Sequence, residues 1–157
     1  MTLVFRALVP ADAEAAAAFI RTAFAAQSAV TDPPSSALKE TSEIVRRKLA
    51  EGGGFGVEEA GALVALVLFQ PDGDALYLGR LAVAQSQRGR GLAQRLLALV
   101  EDEARRLGFA KTRLRVRLDL NGNRRLFAKG GYAETAQLSH PGYDKPTFAV
   151  MEKRLEP

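Results

Sequence analysis

One stretch constrains this chain more than any other: Leu76-Tyr77-Leu78-Gly79-Arg80-Leu81-Ala82-Val83, followed by Arg88-Gly89-Arg90-Gly91-Leu92-Ala93. The first eight residues read as a strand, the next few as a glycine–arginine turn, and an amphipathic helix begins at once. In that order the free N–H groups of a helix start and the positive end of its dipole converge on one point, which favours a phosphate there. Gly89 and Gly91 keep the approach clear of a Cβ. Arg88 and Arg90 add donors whose fork matches phosphate oxygens. The pattern points to a ligand that carries a pyrophosphate.

What the turn lacks narrows the ligand. A nucleoside-triphosphate turn needs Gly-Lys-Ser/Thr, which occurs nowhere in the chain. A dinucleotide turn needs a third glycine where this chain has Gln94, and belongs early in a βαβ unit. A Gly-x-Gly pair by itself is also compatible with a surface turn whose arginines are merely solvated. Adjacency to both a strand and a helix start favours the ligand site.

The rest of the chain alternates strands and helices. Leu3 to Val9 is expected as a strand, and Asp12 as the cap of a helix reaching Ala25. Ala26 to Ser36, with Pro33-Pro34, is a loop. A second helix is expected from Ala37 to Ala50, with Leu38, Ile44, Val45 and Leu49 on its apolar side, ended by Gly52-Gly53-Gly54. Phe55 to Glu59, Ala62 to Phe69 and Ala75 to Val83 are strands. The third helix, Leu92 to Leu107, places Leu92, Leu96, Leu99, Val100 and Leu107 on one stripe before Gly108. Thr112 to Leu118 alternates, with Arg113, Arg115 and Arg117 on what reads as a solvated face. A short helix from Asn121 and strands near Ala133 to Leu138 and Thr147 to Lys153 complete the pattern. Such an order implies an α/β sheet with helices on both faces.

The chain has 157 residues, enough for one domain with a proper core and too few for two. It has no cysteine and one histidine, so a thiol nucleophile and a structural zinc site are excluded, and no metal site is expected. Its longest apolar run, Ala62 to Phe69, is eight residues, too short to span a bilayer. Ala15 to Ile20 follows Asp12 and Glu14 without a basic leader, so it does not read as a signal peptide. A cytoplasmic location without membrane contact is expected. The net charge of +4 is unevenly spread: Gln85 to Gly131 carries 12 Lys/Arg against 4 Asp/Glu. That basic excess surrounds the phosphate turn, where it would assist anion capture. Only Phe109 and Phe127 are aromatic in this segment, with Tyr132 just beyond it, which argues against nucleic acid as the partner.

Arg88-x-x-Gly91-x-Ala93 resembles the pyrophosphate signature of the GNAT acetyltransferase superfamily, Gln/Arg-x-x-Gly-x-Gly/Ala. The resemblance covers nearly the whole chain. Arg6 to Asp12 is similar to the family's opening strand and helix start, and Leu81-Ala82-Val83 to its splayed fourth strand. Asn123 to Tyr132 is similar to the helix and Gly-aromatic turn that close the cofactor site.

What the resemblance implies is specific. The fold would be GNAT-like: a mixed, mostly antiparallel sheet whose fourth and fifth strands part into a V-shaped cleft. Acetyl-coenzyme A would enter as cosubstrate, its pantetheine arm pairing with backbone groups of Leu81 and Val83. Ala82, Arg88, Gly89, Arg90, Gly91, Leu92, Ala93, Asn123 and Phe127 would complete the cofactor site. The Val83 N–H would polarise the thioester carbonyl. A small-molecule or peptide amine would be acetylated by direct transfer, and a homodimer is compatible with such a fold.

Two departures stand out. Many relatives have a glutamate base where this chain has Gly79, and a tyrosine acid where it has Phe127. The segment Ser139 to Thr147 is the best remaining source of proton-handling groups, through His140, the only histidine, and Tyr143. Tyr143 is favoured over His140, because a phenol near the cleft could replace the acid absent at Phe127. Turn formation by Pro141-Gly142 explains the same spacing without chemistry. Glu101-Asp102-Glu103 reads as solvated helix surface. Two other readings stay open: a non-catalytic acyl-coenzyme A-binding protein on the same fold and, more remotely, a basic nucleic-acid-binding module.

Overall fold

The middle of the chain builds the sheet. β1 (Leu3–Leu8) pairs with β2 (Gly53–Glu59), which continues through β3 (Ala62–Asp72) into β4 (Ala75–Val83), all antiparallel. Ala60 and Gly61 both have positive φ, as a two-residue hairpin turn matched to strand twist requires. After β5 (Lys111–Arg117) come β6 (Ala133–Leu138) and β7 (Phe148–Arg154), and the seven strands lie in the order β1-β2-β3-β4-β5-β7-β6. The computed structural model describes residues 2–26 and 31–156.

The β4–β5 junction is the exception in this sheet. It is parallel and short: Ala75, Leu76 and Tyr77 pair with Lys111, Thr112 and Arg113, and pairing stops there. A bulge on β4 contributes to the parting. Between Leu68↔Gly79 and Leu66↔Ala82, two residues of β4, Arg80 and Leu81, oppose Val67 alone. Arg80 takes φ +58, the left-handed place that such bulges usually give to glycine. A bulge bends its strand and raises its twist, turning the end of β4 away from β5.

Helices cover both faces. Leu66 and Leu68 of β3 pack with α1 (Ala13–Ala25) and α2 (Ser42–Glu51). Ala65, Val67 and Phe69, one residue out of step, pack with α3 (Leu92–Leu107). α1 buries Ala13, Ala16, Ala17 and Ile20, the spacing of one helical face. The last helix, α4 (Asn121–Lys129), buries Phe127. No helix among the described residues is long and apolar enough to cross a membrane.

Four expectations need correction. The second helix starts at Ser42, not Ala37: a 3-10 turn over Ser36–Lys39 precedes it, and the Thr41 hydroxyl accepts from the Ile44 N–H. The break lets the Glu40 carboxylate turn inward to Lys48 (3.0 Å) and Arg80 (2.6 Å), and leaves Leu38 exposed. On α3 the buried face includes Leu97, Glu101 and Ala104, whereas Leu107 is exposed. Glu101 is buried because Lys153 Nζ lies 2.9 Å away and the Tyr132 hydroxyl donates to it at 3.3 Å. Asp12 holds the cap position of α1, but its carboxylate bonds backward to Arg6 and the Val9 N–H.

Candidate functional site

Where β4 leaves β5, its backbone is exposed on one side. Ala84 donates to the Val64 carbonyl at 2.8 Å, and Val83 stands opposite Ala65. Antiparallel ladders alternate bonded and non-bonded pairs, so the N–H and C=O of Val83 turn away from β3 toward the gap. Unpaired backbone groups inside a cleft demand a partner. A strand-like ligand would supply one.

The turn that follows leads directly into α3. Gly89 has φ +84 and Gly91 φ +76, both left-handed, and a Cβ at either would meet only open space. These glycines are required by conformation, not by crowding. Gly91 is the cap residue of α3 and offers no side chain, so the N–H groups of the first turn point outward unsatisfied. Together they form an anion cradle at the mouth of a cleft of about 520 Å³.

That cleft unites most of the residues expected to hold the cofactor. Leu81, Ala82 and Val83 form one wall, Arg88 to Ala93 without Arg90 form the end, and Asn123 and Phe127 of α4 close the other side. Arg90 is the exception: its guanidinium turns away to Gln87 and to Glu59, 3.5 Å off, leaving Arg88 as the cation that the turn itself supplies, with Arg125 and Lys129 of α4 also lining the cleft. Gln94, noted in the sequence only as a missing glycine, donates to the Leu126 carbonyl at 3.0 Å and ties α3 to α4.

A second cavity, about 650 Å³, opens on the other side of the same gap. Leu81, Asn123 and Phe127 line both, so the two spaces meet where the strands part. Here the structure separates the two proton-handling candidates. His140 lines this cavity, its Nδ1 hydrogen-bonded to the Thr147 hydroxyl and its ring edge-on to Phe148 at 5.0 Å. Burial, then the nearby Arg117 and Arg115, hold its pKa below the usual 6.5, so the imidazole is neutral at physiological pH. Tyr143 is not part of the lining. Its hydroxyl donates to Asp32 at 2.6 Å, and that bond to a carboxylate raises its pKa. The order of preference from the sequence is thus reversed in space: His140 faces the cavity, and Tyr143 latches the hairpin to the 31–36 segment.

Other residues reach the site unannounced. Arg115 and Arg117, expected on a solvated face, line the second cavity, as do Tyr77 and Arg80. Burial raises the Tyr77 pKa above its ordinary value. Part of the loop expected over Ala26 to Ser36, residues 27–30, lies outside the described residues.

The model of the acetyltransferase (GNAT) family matches residues 20–132. The chain belongs to the GNAT acetyltransferase family. Solved GNAT-fold structures agree in fold. Ard1 from Thermoplasma volcanium superposes with a TM-score of 0.78 at 19% identity, covering all of both chains. The ribosomal-protein-S18-alanine N-acetyltransferase of Escherichia coli reaches 0.74 at 21%, over 99% of this chain and 96% of that one. A Salmonella typhimurium protein solved with its cofactor acetyl-CoA reaches 0.73 at 21%, over 100% of this chain and 96% of that one. No curated protein matches the sequence. As a GNAT chain it keeps the parted strands and the turn into α3, and departs at Gly79 and Phe127.

Proposed function

We propose that the chain is a single-domain, acetyl-CoA-dependent N-acetyltransferase that passes the acetyl group directly to the amine of a small molecule or peptide. One observation carries this reading: two cavities approach a single gap from opposite sides, one bearing an anion cradle and unpaired strand backbone, the other a neutral histidine. The Salmonella relative with acetyl-CoA supports the choice of cosubstrate.

Coenzyme A supplies an acetyl group activated as a thioester. The cradle at 88–93 holds its pyrophosphate, and Leu81 and Val83 pair with its amide-bearing arm as a neighbouring strand would. The Val83 N–H polarises the carbonyl as the amine adds. A C–N bond forms, the C–S bond breaks, the sulfur leaves as thiolate, and the extra proton of the adduct nitrogen passes to that thiolate or to solvent. With a thiol pKa near 8.5 the thiolate needs little help, so Phe127 is tolerable in place of an acid. An aliphatic ammonium near pKa 10.4 must lose a proton first, and His140 accepts it directly or through water.

Phe127 and Gly79 also favour a second reading, a non-catalytic acyl-CoA-binding protein. Thiol release from acetyl-CoA over a panel of amines decides between them. Amine-dependent release above the hydrolysis background supports the transferase. Tight coenzyme A binding with no release for any amine would leave the binding protein.

A further inference from the structure

The cavity on the acceptor side has a one-sided charge. Lys48, Arg80, Arg115 and Arg117 line it, and no carboxylate side chain does so among the described residues. Two of these cations are neutralised in place: Glu40, 2% exposed, binds Lys48 and Arg80 together. The other two are not. Arg115 has its guanidinium 5.4 Å from the Phe148 ring centre and no carboxylate partner among the described residues. Arg117 donates from Nη2 to the Pro33 carbonyl, while its Nη1 is buried without a hydrogen-bond partner among the described residues. Arg113, two residues earlier than Arg115 on the same strand, bonds Asp72, Asp74 and Glu152. The contrast runs along β5: Arg113, outside the cavity, is fully paired, whereas Arg115, which is exposed, and Arg117 have no carboxylate partner among the described residues.

A buried guanidinium donor without an acceptor is costly and calls for an anion. The cavity's second property limits what brings that anion. Arg117 bonds the Pro33 carbonyl and the Tyr143 hydroxyl bonds Asp32, so the 31–36 segment is tied across to β5 and to the 139–147 hairpin. A space of about 650 Å³ roofed in this way suits a small molecule.

Building on the transferase reading, we propose that the acceptor is a small primary amine that also carries a carboxylate, the carboxylate being held by Arg115 and Arg117. A planar carboxylate matches the guanidinium fork, and a small turn of the Arg117 side chain would bring the orphaned Nη1 onto it. The same cations serve the chemistry. An ammonium beside like charge loses its proton more readily, so the wall that anchors the carboxylate lowers the pKa of the attacking amine. That effect stands in for the glutamate missing at Gly79. Polycations and simple alkylamines, which bring no anion, are disfavoured by the same field.

The test pairs free amino acids with their carboxamides, which differ in charge but hardly in size. Thiol release from acetyl-CoA gives KM and kcat, and thermal shift with coenzyme A present gives binding without turnover. The expected result is that acids are acetylated and amides are poor, with KM differing about 10- to 100-fold, the worth of a charge-assisted hydrogen bond. Arg115→Gln, which breaks no ion pair, and Arg117→Gln should each erase that preference while leaving the KM for acetyl-CoA near wild type. Arg117→Lys should restore part of it. Should the 31–36 segment loosen in Arg117→Gln, Arg115→Gln and its acid-to-amide ratio still decide. Acids that bind in an arginine-dependent way but are not acetylated would uphold the carboxylate site at Arg115 and Arg117 and overturn its role as an acceptor site together with the transferase reading. Amides, peptides or alkylamines acetylated as well as acids would overturn the inference and leave the transferase standing. Binding of neither acid nor amide would overturn it as well.

Discussion

Gly91 and Arg88 carry the residue-scale expectations for the phosphate turn. Gly91 sits at φ +76, and a Cβ there would have nothing within 4 Å, so Gly91→Ala costs only the left-handed strain, about 1–2 kcal/mol of stability. Gly91→Glu adds a negative charge inside the anion cradle and should abolish coenzyme A binding with the fold retained, read as loss of the ligand-induced melting shift. Arg88→Ala should weaken coenzyme A about 10- to 100-fold. Arg90→Ala, whose partners are Glu59 and Gln87, should change that affinity by less than about threefold and stability by about 0–1 kcal/mol. Equal losses at Arg88 and Arg90 would mean that general charge, not the turn, binds the ligand. His140 gives a pH signature. Its folded pKa lies below the unfolded value near 6.5, so the neutral, proton-accepting form holds at pH 7 and is lost as pH falls through the folded pKa. The kcat profile should therefore keep its plateau to below pH 6.5 and then drop. His140→Ala should remove that limb and lower kcat by about 10²–10⁴-fold. Near-wild-type rates in that variant would return the hairpin to a structural role.

At the scale of elements, what can be read from the sequence and what cannot divide along physical lines. The bounds of α3 are legible to the residue because its 3.6-residue period is closed by Gly91 and by Gly108, whose left-handed turn lets the Phe109 N–H reach the Ala104 carbonyl at 2.9 Å. The start of α2 is not, because nothing local marks Glu40 as buried; its partners Lys48 and Arg80 lie 8 and 40 residues away. Glu101 misleads for the same reason, since its partners come from β7 and the turn after α4. Alternation puts Arg115 and Arg117 on the correct face of β5, but a period of two does not say whether a face meets solvent or a cavity. The β4 bulge and the Glu40 contacts meet at Arg80. Arg80 is held left-handed while its guanidinium binds Glu40 at 2.6 Å and the Ser36 hydroxyl at 2.7 Å. Removing one partner of a buried pair leaves uncompensated charge, so Glu40→Ala should cost about 3–5 kcal/mol in denaturant unfolding. A loss under about 1 kcal/mol would show that solvent replaces the carboxylate.

Across the whole molecule, only three residue pairs of the β4–β5 ladder join the β1–β4 part of the sheet to the β5–β7 part. A ligand lying in the cleft touches β4, α3 and α4 together, so its binding reinforces the sheet where its own hydrogen bonds are fewest. Coenzyme A at a hundred times its dissociation constant should add about 2.7 kcal/mol of stability. For a chain of this size that is a rise in Tm of roughly 5–10 °C, at about 2–4 °C per kcal/mol. The stabilisation should have a recognisable distribution in amide exchange. Val83, whose N–H turns toward the gap, and the first-turn amides of Leu92, Ala93 and Gln94 should slow strongly, because binding gives them acceptors they lack. Ala82, in the ladder position that bonds to β3, should slow only as much as the global stability gain requires. A melting shift of the expected size with Val83 and Ala82 protected equally would mean that the ligand stabilises the fold without pairing to β4, and the strand-like seat of the pantetheine arm would have to be abandoned.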